Sequence, residues 1–144
     1  MQYDELMRHI YAAFTKVPRP ENIIAHECDE CFKLHDDLQE QAPRQIPDAW
    51  VERNFDKLPL LTDEAKQFFL PAYLRVGACA PNSLVSQFVL YTLADDFRFQ
   101  PVDGYSSEQR QAITNYLEFI APQLDETMDP KCLSDARALW HAVT

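Results

Sequence analysis

The chain has 144 residues, 47% of them hydrophobic and 12% aromatic, and a formal net charge of −10. Its apolar content is above that of disordered segments, and its charge repels phosphate backbones and anionic lipid headgroups, which argues against disorder and against nucleic-acid or membrane partners. Two glycines against ten prolines are too few turn residues for an all-β fold and suit helices joined by stiff connectors.

Tyr3, Leu6, Met7, Ile10, Tyr11 and Phe14 recur at three- and four-residue steps. They predict a first helix from about Gln2 to Lys16, ended by Val17-Pro18-Arg19-Pro20 because residues before proline avoid the α region. A second helix is expected from about Ile24 to Gln41 and is closed by Pro43. Cys28, Cys31, Phe32, His35 and Leu38 fall on one of its sides, while Asp29, Asp36, Asp37 and Glu40 mostly face elsewhere. A short third helix is expected around Asp48 to Phe55, with Asp48 as its cap.

Thr62 caps a fourth helix from Asp63 to about Ala78, with Asp63 and Glu64 at the positive end of its dipole. Pro71 lies inside it and removes one amide donor, so a kink is expected there. Pro81-Asn82-Ser83 opens a fifth helix to about Asp95, and its wide apolar circumference predicts a central position. The stretch from Asp96 to Tyr105 is irregular, with Phe97-Arg98-Phe99 able to form a short extended piece. Ser106-Ser107-Glu108-Gln109 resembles a capping box and leads into Ile113, Tyr116, Leu117 and Ile120 of a sixth helix. Asp129 as cap and Pro130 at the first helical position open a seventh, carrying Leu133, Ala136, Leu139, Trp140 and Val143.

No repeat, low-complexity tract or linker interrupts the pattern. Residues 1–144 therefore read as a single acidic domain, an all-α irregular or orthogonal bundle of about six to seven helices. No stretch approaches the ~20 apolar residues of a membrane span, and Met1-Gln2-Tyr3-Asp4-Glu5 lacks the order of a secretory signal, so the expected compartment is the cytoplasm. The four cysteines are too sparse for a disulfide framework and are read as reduced thiols.

The densest chemical segment is His26-Glu27-Cys28-Asp29-Glu30-Cys31-Phe32-Lys33-Leu34-His35. On a helix, Cys28, Cys31 and His35 can point one way, and thiolate with imidazole suits zinc, a fourth ligand coming from His26, Cys79 or Cys132. The pattern lacks a second ligand pair, and the same residues also read as two small core cysteines beside a boundary histidine. A thioredoxin-like redox role is disfavoured, because no βαβ pattern surrounds the Cys-x-x-Cys segment.

Asp29, Glu30, Asp36, Asp37 and Glu40, together with Glu27, crowd this helix against Lys33. They form either a docking face for a basic protein or a solvated surface that keeps the chain dispersed. Enzymatic patterns are missing: two isolated glycines make no phosphate loop, and Gly-x-Ser-x-Gly and His-Glu-x-x-His are absent. A small-molecule pocket beside Pro71 remains a third reading.

The Cys-x-x-Cys segment after a Pro-rich loop, followed by Leu-Pro-Leu-Leu-Thr-Asp-Glu-Ala and Phe-Leu-Pro-Ala-Tyr-Leu, resembles a family of small bacterial proteins of unassigned function. The resemblance covers roughly residues 5 to 120 and implies no catalytic residues. The sequence thus points first to a non-enzymatic, cofactor-free protein-binding module, in the manner of the small acidic immunity proteins of bacterial toxin systems. A zinc-binding helical domain using Cys28, Cys31 and His35 is the alternative.

Overall fold

A computed structural model describes residues 1–95 and 102–141, and seven α-helices form among them. These are α1 (Tyr3–Ala13), α2 (Asp29–Leu38), α3 (Asp48–Arg53), α4 (Asp63–Cys79), α5 (Leu84–Leu93), α6 (Ser107–Ile120) and α7 (Pro130–His141). No strand forms among the described residues. The all-α expectation holds, as does the irregular arrangement of the helices.

The helix starts follow their capping residues. The Thr62 hydroxyl accepts the Ala65 N–H at 3.2 Å, and Ser83 does the same for Ser86 at 3.3 Å. Ser106 and Gln109 form the reciprocal capping box. Asp129 accepts the Lys131 N–H at 2.9 Å at the start of α7. At α3 the expectation fails: Pro47 holds the cap position, and Asp48 sits in the first turn with its carboxylate 2.8 Å from Arg75 Nε.

α4 is the central helix. Six consecutive residues, Phe69 to Leu74, are buried, and at 100° per residue six positions sweep the whole circumference. α4 packs on α1, α3, α5 and α6 and runs through Pro71 unbroken. α5, expected to be central, does pack on α3, α4 and α7, but Leu84 and Tyr91, seven residues apart, leave it an exposed stripe. Trp140 of α7 is fully buried and donates its indole N–H to Leu93 O at 2.9 Å, which locks α7 onto the end of α5.

The second helix begins five residues later than the apolar pattern suggested. Ile24 pairs antiparallel with Leu61 in an isolated bridge, with Ala25 N–H donating to Leu60 O at 3.1 Å and Thr62 N–H to Ile23 O at 2.9 Å. Residues tied this way cannot bond along a helix, so α2 starts only after the pairing ends. α2 packs lightly on the other helices and joins the core through Leu34 and Leu38. The expected extended piece at Phe97-Arg98-Phe99 and the apolar Val143 lie outside the described residues. Among the described residues, no helix is long and apolar enough to cross a membrane.

Candidate functional site

The site is built on α2. Cys28 occupies the cap position with extended backbone, and its Sγ accepts the Cys31 N–H at 3.2 Å. Asp29 and Glu30 follow in the first turn, where unsatisfied amide groups favour carboxylates. Cys31, Leu34 and Leu38 are buried at i, i+3 and i+7 and define the inward face.

That register corrects the place of Phe32. It was expected on the buried side with Cys31, but it lies off the Cys31–Leu34–Leu38 stripe and is 50% exposed. Turning at 100° per residue, Asp29, Phe32, Lys33 and Asp36 share the outward face. Glu40 is exposed just beyond the helix end. Leu34 was the missing signal, because including it in the stripe moves Phe32 outward.

The five acidic candidates divide into two groups. Asp29 and Glu40 are exposed and form no ion pair among the described residues; Asp36 is exposed, with Oδ1 3.6 Å from His35 Nδ1. Glu30 is ion-paired with Lys57 of the loop after α3. Asp37 Oδ2 accepts the Trp50 indole N–H at 2.9 Å and lies 3.5 Å from Lys33 Nζ. Asp29 and Asp36 therefore flank Phe32 on the open face together with Lys33, Glu40 lies exposed beyond the helix end, and Glu30 and Asp37 attach α2 to its neighbours.

The cysteines are brought together, with Cys28 Sγ and Cys31 Sγ 2.7 Å apart. Cys28 is exposed and Cys31 is fully buried. Either thiol can donate in the neutral pair, but once Cys28 ionises only Cys31 has a proton left to give. This hydrogen bond, then the Cys31 backbone N–H, hold the Cys28 thiol below its ordinary value, while Asp29 opposes them. The same hydrogen bond, followed by burial, pushes the Cys31 thiol up.

Cys28 caps the helix instead of riding on it, which corrects the picture of three ligands along one helical face. Among the described residues, no group of three or more His, Cys, Asp and Glu side chains is arranged to hold a metal. Of the suggested fourth ligands, His26 is exposed, Cys79 ends α4, and Cys132 lies in the first turn of α7. Burial pushes the Cys132 thiol up, with nearby Asp129 adding to it.

Beside Pro71 is a cleft of about 210 Å³, lined by Tyr11, Phe14, Val17, Arg44 and Phe68 among others. It is smaller than the ~300 Å³ at which small-molecule pockets begin. The Arg44 guanidinium stacks over the Tyr11 ring with a centroid distance of 4.1 Å. No protein-family model, curated protein or solved structure matches the chain.

Proposed function

We propose that the chain is a non-enzymatic protein-binding module of the immunity or regulatory type, which captures a basic partner on the outward face of α2. The observation that carries this reading is Phe32, half-exposed and flanked on its own helix face by Asp29 and Asp36, with Glu40 beyond. Carboxylates alone do not distinguish a docking face from a solvated one. An aromatic ring left in water among them supports the docking reading, because interface centres are enriched in aromatic anchors inside a polar rim.

The division of labour follows from magnitudes. Burying the exposed half of a phenylalanine contributes about 1 kcal/mol, and the net charge of −10 speeds encounter with a cationic surface more than it deepens the final complex. A partner with an apolar pocket rimmed by Lys and Arg fits both features. The light packing of α2 leaves its outward face open to such a surface.

The test is comparative capture from extracts of the source cells. Wild-type chain and the triple variant Asp29→Lys, Asp36→Lys, Glu40→Lys are immobilised in parallel, and retained proteins are quantified by mass spectrometry. A basic protein retained at low salt by the wild type and lost from the triple variant is the expected result. Identical retention by both would remove α2 as the docking face.

A further inference from the structure

The docking reading makes no use of the two thiols at the start of α2. Their sulfurs lie side by side, one open to solvent and the other fully buried. Cys28 is the only one of the pair an external reagent can reach, and Cys31 is placed to attack whatever forms on Cys28. That asymmetry separates a nucleophilic thiol from a resolving one. The αβ context that a Cys-x-x-Cys redox motif usually has is missing among the described residues, but the chemistry depends on thiol placement at a helix start and not on the sheet behind it.

The surroundings of Cys28 select among disulfides. Glu27, Asp29 and Glu30 are all exposed and lie within two residues of it, with Glu30 partly neutralised by Lys57. Anionic disulfides approach this end of α2 against the field, and cationic ones approach with it.

We infer that Cys28 and Cys31 form a redox-active dithiol that exchanges with cationic disulfides, with Cys28 as the attacking sulfur and Cys31 as the resolving one. The Cys28 thiolate attacks one sulfur of the external disulfide, breaks its S–S bond and expels one thiolate. A mixed disulfide on Cys28 results. Cys31, after giving up its proton, attacks Cys28 Sγ, expels the second thiolate and closes the Cys28–Cys31 bond. The protein loses two protons and two electrons, and the external disulfide, taking up both, leaves as two thiols. The dithiol rests on the two sulfurs alone and stands whether or not α2 docks a partner; only the preference for cationic disulfides shares a residue, Asp29, with the docking face.

The experiment treats the reduced full-length chain with three probes: cystamine, which is cationic, bis(2-hydroxyethyl) disulfide, which is neutral, and oxidised glutathione, which is anionic. Remaining thiols are alkylated at intervals and located by peptide mass spectrometry, with exposed Cys79 as the internal control. The expected product is a Cys28–Cys31 intramolecular disulfide with Cys79 still alkylatable. Cystamine should react at least about tenfold faster than oxidised glutathione at low salt, and the difference should shrink as salt is added. Cys31→Ser should stall as a mixed disulfide on Cys28, and Cys28→Ser should leave Cys31 unreacted.

Modification of Cys79 as fast as Cys28, or failure of the wild type to close the intramolecular bond, would overturn the dithiol. Zinc retained in stoichiometric amount by chain purified without added metal, together with resistance to all three probes, would also overturn it. Equal rates with all three probes would overturn the preference for cationic disulfides.

Discussion

Asp37 on α2 accepts the indole N–H of Trp50 on α3 at 2.9 Å, so a carboxylate counted with the acidic face in fact joins two helices. Trp50 is only 9% exposed, and Asp37→Ala would leave its N–H with poor access to water. The expected cost is about 1–2 kcal/mol of stability, read as a lower chemical-denaturation midpoint, with partner capture unchanged. Loss of capture at unchanged stability would return Asp37 to the docking face.

Arg75 is the polar hub beneath α1 and α3. Its guanidinium donates to the Tyr11 hydroxyl at 2.8 Å, the Asp48 carboxylate at 2.8 Å, Pro43 O at 3.2 Å and Ile46 O. A lysine ammonium cannot serve four acceptors spread in this way. Arg75→Lys is expected to cost about 2–3 kcal/mol, and Tyr11→Phe about 1 kcal/mol, both measured by urea unfolding. A stability change within ±0.5 kcal/mol for Arg75→Lys would show the hub to be ornamental.

Gly77 in α4 faces Tyr116 of α6 so closely that a Cβ at this position would overlap the tyrosine hydroxyl. Tyr116 is fully buried, and its hydroxyl has no hydrogen-bond partner of good geometry, although Ser86 lies beside it. Gly77→Ala is expected to destabilise the chain by about 1–3 kcal/mol through overpacking. Tyr116→Phe removes the overlapping atom, so the double variant should recover most of that loss. An additive double-mutant cycle would mean the strain lies elsewhere.

The Cys28 thiol is held below its ordinary value of 9.0, so its folded-state value lies under its unfolded one. The stabilising contribution is present above the unfolded value, is lost as pH falls through the folded one, and is lost again at high pH once Cys31, pushed up by the same hydrogen bond, ionises. Alkylation of Cys28 by iodoacetamide should therefore reach its plateau at lower pH in native chain than in urea-unfolded chain. Cys31→Ala removes the thiol donor and should move the midpoint back toward the unfolded one. Coincident native and unfolded midpoints would contradict the hydrogen-bonded pair.

Helix starts were legible because caps are local. Thr62, Ser83, Ser106 with Gln109, and Asp129 with Pro130 each act within a few residues of themselves, and each is found where the spacing placed it. The start of α2 was not legible, because Ile24 is held by Leu61, 37 positions away, and a long-range backbone pairing leaves no mark on local periodicity. The same error hid part of the site. With Ile24 counted as helical and Leu34 left out of the stripe, Cys28 looked like a side chain along a helix and Phe32 like a core residue. The exposed ring and the capping thiol, on which the two functional readings rest, emerge only when the true register is known.

On the proposed docking face Phe32 anchors the partner and the carboxylates beside it steer the encounter. The most direct measurement is the affinity of the captured partner as a function of salt for wild type, Phe32→Ala and the Asp29→Lys, Asp36→Lys, Glu40→Lys variant. Phe32→Ala should weaken binding by roughly fivefold, matching about 1 kcal/mol, and leave the salt slope unchanged. The charge-reversed variant should flatten or invert that slope. A wild-type slope near zero, or an affinity indifferent to Phe32, would remove the outward face of α2 as the docking surface.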